Sequence, residues 1–590
     1  MADAPCSHDG FVYLGVRILS LKLEKEATAF FCKVNCAGKK ERTSIQSGKE
    51  VSVNEFFAFK MNKDKFPSEE LTISVNKSRG KIMTMLSFSS KLLGQRQKWA
   101  MQEVAKAAKA SSGGVTIGEP FSLSFGAGEL KVQFSFAPPA PADSSLKMLC
   151  GTWNVGNKAP HEDLTSWLQT DGGEQQLIVV GSQECDYDAR KPHSSCDDDF
   201  IASLASSIGE EKYTKVFNAS LGQMRLAVFA RLDVAAAVSG CESSTEATGV
   251  ARVGTNKGGV AIGMNLWDTS FCFINSHLAA HQDEVKTRNL DYSEIVAGIH
   301  LGQKGFHCTT QFDHLFWMGD LNYRVEWGPC AKEKKANAEA VAEMQAKFST
   351  LQGIEELLPY DQLIRVRESE EAFVGFSEGV ITHPPTFKVE RGHEQEYKDQ
   401  RLPAWCDRVM WKTQPDGLSV QQTALDWAPK VLSSDHKPVL AKFVAGLRSL
   451  APAATPAQFV WKVTELSASG LSAADLSGSS DPYVAFSSAL AAGAVKSGVQ
   501  NQTLEPTWPS ADLPSLRFLP TDNAHLSQNH VFVNVIDQDL LTEDDTIGQG
   551  SLSLAPFVAA AGKPVPFELK LLNSGLPAGT LKGTAVLGPA

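Results

Sequence analysis

The sequence predicts three units laid end to end: a β-sandwich, a layered α/β domain and a second β-sandwich. Three observations carry this. Residues 137–145 (Ala-Pro-Pro-Ala-Pro-Ala-Asp-Ser-Ser) and 448–458 have linker composition. Outside them the apolar residues alternate with period two, and between them short apolar strands interleave with helical stretches. The division runs 1–137, linker 138–145, 146–447, linker 448–457 and 458–590. At 590 residues, 43% apolar and 21% charged, the chain can bury several cores.

In the first unit Leu71, Ile73 and Val75, then Leu130, Val132, Phe134 and Phe136, occupy alternate positions, the spacing of a strand with one buried face. The last unit repeats that pattern at 459–463 and 531–536, between clusters of Ser, Gly, Asp and Pro. In the middle unit the spacing predicts strands over 177–180, 260–264 and 271–274, and helices over 283–299 and 332–347.

Charge divides the same way. Residues 1–145 carry 20 Lys+Arg against 14 Asp+Glu, 146–455 carry 30 against 41 and 456–590 carry 6 against 12, balances of +6, -11 and -6 that sum to the net -11. A basic head suits an anionic partner such as a membrane surface, and an acidic middle speaks against nucleic acid. No apolar run reaches the roughly 18 residues that span a bilayer, and no basic-then-apolar leader opens the sequence. Eleven scattered cysteines, none beyond Cys406, predict reduced thiols rather than bridges. The expected location is the cytoplasm, peripheral on membranes. Zinc is not expected, because Cys32 and Cys36 stand closest to a ligand pair and no second pair completes four ligands.

Several strands of the middle unit end in polar residues: Trp153-Asn154, Gln183-Glu184, Asn275-Ser276-His277, Gly319-Asp320-Leu321-Asn322 and Ser434-Asp435-His436. Singly, each is ordinary turn chemistry or a satisfied histidine. Ligand sites in layered α/β folds collect at strand ends, however, and together these residues supply acidic metal ligands, a base and two imidazoles. Those are the groups for metal-assisted hydrolysis of a phosphate ester.

With Gly151-Thr152-Trp153-Asn154-Val155, His277-Leu278-Ala279-Ala280-His281, Arg288-Asn289-Leu290-Asp291-Tyr292, Phe316-Trp317-Met318-Gly319-Asp320-Leu321-Asn322-Tyr323-Arg324, Pro403-Ala404-Trp405-Cys406-Asp407-Arg408 and Ser434-Asp435-His436-Lys437-Pro438-Val439, residues 146–446 resemble the inositol polyphosphate 5-phosphatases of the DNase-I-like superfamily. The resemblance implies a four-layer α/β sandwich. It puts Asn154 and Glu184 on a Mg²⁺ ion, a hard cation that takes oxygen ligands. Asp320 positions and deprotonates the attacking water, Asn322 holds it, His277 and His436 donate to phosphate oxygens, and Asp407 orients His436. Asp435 is counted with the catalytic group. No covalent phospho-enzyme is implied.

Substrate choice by the same resemblance depends on Lys388 and Arg401, which fall where the family grips a 4-phosphate, and on Lys257 in Thr255-Asn256-Lys257-Gly258-Gly259. Two departures stand out. Phe387 replaces a Tyr and removes a hydroxyl donor, and Asp399 stands where a Lys is common, with Lys398 one position away as a substitute.

In the last unit Asp475, Asp481, Asp537, Asp539 and Asp545, with Ser480-Asp481-Pro482-Tyr483-Val484, resemble the ligand set of a Ca²⁺-binding C2 domain. Five converging carboxylates would repel without a cation among them. The first unit resembles a C2 domain at 54–59 and 71–75, but Asn76-Lys77-Ser78-Arg79-Gly80-Lys81 takes the place of a calcium loop, so its membrane affinity would be basic. The expectation is a Mg²⁺-dependent 5-phosphatase of phosphoinositide lipids and inositol phosphates, brought to anionic membranes by C2-like domains. The rivals are another DNase-I-like phosphodiesterase and a calcium-controlled membrane adaptor with an inactive phosphatase fold.

Overall fold

The middle unit is built on strands that are apolar on both faces. In β1 (Ser145–Asn154), Leu146, Met148 and Cys150 point into one core while Leu149 and Trp153 point into another. A strand buried on both sides needs a layer on each side. The computed structural model describes residues 11–43, 45–62, 64–77, 91–101, 103–104, 116–117, 120–136, 145–190, 195–249, 256–328, 338–399, 401–448, 457–472, 478–539 and 544–590.

Eleven further strands follow: β2 (Leu177–Gln183), β3 (Tyr213–Leu221), β4 (Met224–Arg231), β5 (Val238–Ala247), β6 (Gly258–Leu266), β7 (Thr269–His277), β8 (His314–Asp320), β9 (Ser377–Glu378), β10 (Asp407–Thr413), β11 (Val420–Trp427) and β12 (Val439–Gly446). They form two six-stranded sheets, ordered β3-β4-β2-β1-β12-β11 and β5-β6-β7-β8-β10-β9. Leu146, Val179, Val228, Ile262, Phe273, Phe316 and Phe443 share the core between the sheets. Outside the first sheet, α1 (Cys196–Ile208) lays Phe200, Leu204 and Ile208 on Ile178 and Val180. Outside the second, α2 (Val285–Gly298) lays Tyr292, Ile295 and Val296 on Ile274 and Trp317. The expected strands lie inside the observed ones, which run up to three residues further, and the helix expected over 283–299 lies within two residues of α2. The helix expected over 332–347 is described from Ala338 to Phe348, and residues 329–337 lie outside the described residues.

The first unit is an eight-stranded sheet in which Phe11–Cys36 pairs with Gln46–Asn62, Glu70–Lys77 and Gly128–Phe136. Its alternating residues, Leu71, Ile73, Val75, Leu130, Val132 and Phe134, make the core with Val12, Leu14 and Val16. The basic segment 78–81 lies outside the described residues. The last unit, a nine-stranded sheet, packs Trp461, Val463, Val484, Phe486, Val531 and Val533 together.

The linkers are shorter than their composition suggests. Ser145 already pairs with Gly446 in the sheet, Arg448 holds Asp313 through Nη2–Oδ1 (2.5 Å) and Nε–Oδ2 (3.0 Å), and Ala457 bridges Thr521. A buried carboxylate needs a partner, and Asp313 recruits it from the linker. Both flanking units are docked on the middle one. Arg17 donates to the Glu210 carbonyl at 3.0 Å and Lys60 pairs with Asp268 at 3.0 Å; on the other side Gln549 donates to the Gly305 carbonyl at 2.7 Å and His530 Nε2 meets the Pro415 carbonyl at 2.8 Å.

Candidate active site

Sheet register gathers the polar strand ends. The two parallel pairs, β1/β2 and β7/β8, run out in step, so Asn154 lies opposite Gln183 and His277 opposite Asp320. Antiparallel β10 begins opposite the same point, pairing Asp407 with Asp320. Glu184 follows β2 at a positive φ of 49°, and Gly319, at φ 148°, permits the β7/β8 approach: a Cβ there would lie 2.0 Å from the Ser276 carbonyl. The loop before β12 hangs on the end of β1, with Ser434 Oγ donating to the Asn154 carbonyl (2.6 Å) and Trp153 Nε1 to the His436 carbonyl (3.2 Å).

One oxygen is the focus. Asp320 Oδ2 accepts from Asn154 Nδ2 at 3.0 Å and faces His277 Nε2 at 3.3 Å and His436 Nε2 at 3.8 Å, while Oδ1 accepts the Asn322 N–H at 3.1 Å. Burial opposes its charge, but His436 and His277 outweigh it and hold Asp320 well below the usual carboxylate range. The two histidines differ. His436 Nδ1 donates to Asp407 Oδ2 at 2.9 Å, and although burial disfavours the imidazolium, Asp407 and Asp320 hold it up to about 9. His277 is pushed down by burial and by Lys257, whose Nζ lies against His277 Nε2, so it stays neutral. Burial lowers Lys257 itself to about 8.

Asn154 Oδ1 accepts the Gly156 N–H at 3.0 Å, and the half-buried Glu184 carboxylate accepts no hydrogen bond among the described residues. An amide oxygen with a spare lone pair beside an uncommitted carboxylate fits a hard divalent cation. His277 Nδ1 and Asp407 Oδ1 are also buried without a partner among the described residues. Asn322 is more committed than its expected role implies: Nδ2 donates to the Leu278 carbonyl (3.1 Å) and Oδ1 accepts from Arg324 Nη2 (2.6 Å).

The basic residues form a rim. Asp435 does not join Asp320 but pairs with Lys388 (3.4 Å) and Arg391 (3.3 Å). Lys398 is tied to Glu390 at 3.2 Å. Arg401 is half-buried and lowered by burial and by Arg324, whose guanidinium lies 4.6 Å over the Phe387 ring. Phe387 in turn packs on His436, ring centroids 4.5 Å apart, so the missing hydroxyl leaves an aromatic wall in place.

Three residues escaped the sequence reading. Thr386 donates to Asp407 Oδ2 at 2.7 Å and lies inside the quoted Pro-Thr-Phe-Lys segment. Arg324, inside the Gly-Asp-Leu-Asn-Tyr-Arg block, fixes the Asn322 amide. Arg391, which donates to the Gly156 carbonyl at 2.9 Å, had no signal in its Glu-rich loop. Other motif positions are scaffold: Arg288 donates to the Ala279 (3.0 Å) and His281 (2.6 Å) carbonyls and Asp291 accepts the Ala279 N–H (2.8 Å), fixing the loop after His277. Cys36 and Arg42 have the Cys-x5-Arg spacing of a cysteine phosphatase, but they flank a hairpin in which Cys36 pairs with Lys39, and burial pushes the thiol up to about 12.

In the last unit Asp537 and Asp545 are register partners, Asp537 Oδ1 accepts the Asp481 N–H at 2.5 Å and Asp481 Oδ1 accepts the Gln502 N–H at 2.6 Å. Asp475 lies outside the described residues. Asp544, unforeseen, accepts from Tyr483 Oη (2.8 Å) and the Asp539 N–H (3.1 Å). Among the described residues, the metal-ligand atoms gathered within 4.8 Å are those of Asp320, Asp407 and His436, and the C2 aspartates form no such group.

Residues 151–442 match the endonuclease/exonuclease/phosphatase family 2, and residues 460–569 match the C2 domain. The phosphatidylinositol 3,4,5-trisphosphate 5-phosphatase 1 of Xenopus laevis is 33% identical over 327 residues, 52% of this chain and 30% of its own length. The central domain belongs to the inositol polyphosphate 5-phosphatase family. The type II inositol 1,4,5-trisphosphate 5-phosphatase of Mus musculus is likewise 33% identical over 314 residues, 52% of this chain and 30% of that protein. A solved 5-phosphatase domain of SPSynaptojanin is 26% identical, covering 51% of this chain and 85% of that one at a TM-score of 0.44. The chain spans about a third of the length of the relatives it matches. No described helix is long and apolar enough to cross a membrane.

Proposed function

We propose that residues 146–447 hydrolyse the 5-phosphate of phosphoinositides or inositol polyphosphates with Mg²⁺, and that the C2 domain at 458–590 carries them to anionic membranes in response to Ca²⁺. The observation that carries the reading is the convergence of Asn154, His277 and His436 on Asp320 Oδ2. Asn154 and Glu184 would hold the Mg²⁺, which when bound supplies positive charge to a phosphoryl oxygen.

The chain's own groups do the rest. His436, charged at neutral pH and braced by Asp407 and Thr386, donates from Nε2 to a phosphate oxygen; His277 adds a neutral donor and Lys257 charge. A carboxylate held so far down is a poor base while His436 faces it. A phosphate that draws the imidazolium to itself removes that counter-charge, and Asp320 then takes the proton of the water it orients. Lys388, Arg391 and Arg401 face a neighbouring phosphate, with Asp435 holding the first two in place. The first unit, a basic sheet without calcium ligands, adds a second membrane contact, and two modest contacts in one chain multiply. The location follows as cytoplasmic and peripheral.

The test is phosphate release from a panel of inositol lipids and soluble inositol phosphates, with Mg²⁺ or EDTA, on liposomes with and without micromolar Ca²⁺. Selective loss of the 5-phosphate that EDTA stops is the expected result. Calcium-dependent liposome binding without turnover of any of them would replace it with the adaptor reading.

A further inference from the structure

Two free thiols stand close beside the catalytic end. Cys185, fully buried, and Cys196, half-buried, have Sγ atoms 3.8 Å apart. Cys196 is the first residue of α1, and Cys185 directly follows Glu184. The Cys185 backbone is pinned, its N–H to the Gln223 carbonyl at 2.9 Å and its carbonyl to Arg225 Nη2 at 2.9 Å, while its sulfur meets the start of the helix.

We propose that Cys185 and Cys196 form a reversible disulfide, a redox modification site that acts on the adjoining Glu184. The effect on Glu184 rests on the metal role proposed above, whereas the bond itself does not. The oxidant is a peroxide. Cys196 Sγ, as thiolate, attacks one peroxide oxygen; the O–O bond breaks and the leaving hydroxide takes a proton to become water. The Cys185 thiol gives up its proton and attacks the Cys196 sulfenic sulfur, expelling a second water. Two thiols and one hydrogen peroxide thus become one disulfide and two waters, the two electrons passing from sulfur to oxygen.

Geometry and exposure choose this pair. Bonding draws the sulfurs from 3.8 Å to about 2.05 Å. Cys241 is the other half-buried described cysteine, and burial pushes it up to about 12, away from thiolate character at neutral pH. The hydrogen bond from Cys185, the Tyr187 backbone and the nearby Arg225 instead lower Cys196 below the ordinary thiol range. The pull of the new bond falls on the residue after Glu184, whose backbone already sits at a positive φ of 49°.

The full chain is treated with hydrogen peroxide, and a portion is afterwards reduced with dithiothreitol. Peptide mass mapping is expected to show a Cys185–Cys196 link two hydrogens lighter, reversed by dithiothreitol and absent in Cys196→Ser. The Mg²⁺ concentration that raises the melting temperature halfway should be about tenfold higher for the oxidised chain and unmoved by peroxide in Cys196→Ser. Sulfinic acid at Cys196 with Cys185 still a thiol, or a link to any other cysteine, would overturn the bond. An oxidised pair with an unchanged Mg²⁺ midpoint would overturn the action on Glu184. If Mg²⁺ does not stabilise even the reduced chain, the metal role of Glu184 fails, and the mass result judges the bond alone.

Discussion

The catalytic end of the middle domain and the aspartate rim of the C2 domain are both carboxylate sites at sheet ends, and they are built in opposite ways. At the catalytic end Asn154, His277, Asp320 and Asp407 sit on strand termini held by parallel and antiparallel register, His436 and Thr386 come from loops beside them, and the groups are buried and paired with one another: Asp320 to Asn154 and the two histidines, Asp407 to His436 and Thr386. At the C2 rim Asp537 is buried but Asp545 is exposed, Asp481 and Asp539 are half-buried, and the hydrogen bonds go to loop backbone and, from Asp544, to Tyr483. The first site is organised without a ligand, and as the proposed catalytic centre it would meet a transition state with little reorganisation. The described carboxylates of the second are not gathered, and a cation that takes oxygen ligands would have to draw them together.

The hardest blow to that contrast is Asp320→Ala. It removes the carboxylate on which Asn154 and the two histidines converge and should lower turnover by about 10⁴-fold, with calcium-dependent liposome binding unchanged. Phosphate release and vesicle sedimentation on the same preparation read both. Residual turnover within tenfold of the parent would mean the convergence on Asp320 is not the catalytic machinery.

The next effect belongs to the His436–Asp407 pair. His436 is raised, so the donor is present below about 9 and turnover should fall as pH rises through that value. Stability follows the same sign: the pairing contributes fully below the unfolded imidazole range of about 6.5 and is lost as pH climbs through the folded value. Asp407→Asn removes the counter-charge, so turnover should drop about 10²-fold and the alkaline limb should move toward neutral. An unmoved limb in that variant would assign it to another group.

The same contrast explains what the sequence could and could not say. Asn154, His277, Asp320 and Asp407 could be singled out in the sequence because each ends a strand and is held by its register, and an odd polar residue at the end of an apolar run is visible in one dimension; Glu184 and His436 stand just outside their strands and were carried by the motif blocks. Their partners were not legible. Arg391 reaches the site from a loop, so nothing in its neighbours marks it, and Asp435 was read with the catalytic group because its block is, although its carboxylate faces Lys388 and Arg391. The linkers were misjudged at their ends for a related reason: Arg448 looks like tether composition until the buried Asp313 is seen to need it.

A milder test isolates the rim. Asp539→Asn with Asp545→Asn, at half-buried and exposed positions that tolerate substitution, should weaken Ca²⁺-dependent vesicle binding about tenfold, close to 1.4 kcal/mol. Turnover of a soluble inositol phosphate should stay within about twofold. Equal losses on soluble and vesicle substrates would tie the rim to catalysis rather than to delivery.

A change confined to KM discriminates between two lysines whose backbones are joined by the Lys398 N–H to Lys388 carbonyl hydrogen bond (3.0 Å). Lys388 is paired with Asp435 behind the aromatic wall of Phe387, and its ion pair is partly shielded; Lys398 is paired with Glu390, whose side chain is 46% exposed. The two lysines are alike in exposure, so the difference lies in the partner: the half-shielded Asp435 holds Lys388 in place, whereas a pair with an exposed carboxylate is worth little and is screened by salt. Lys388→Ala should therefore raise KM about tenfold with kcat held, and Lys398→Ala should change either by less than about twofold. If the two variants fall together, Lys398 leaves Glu390 when substrate binds and supplies the charge that Asp399 does not.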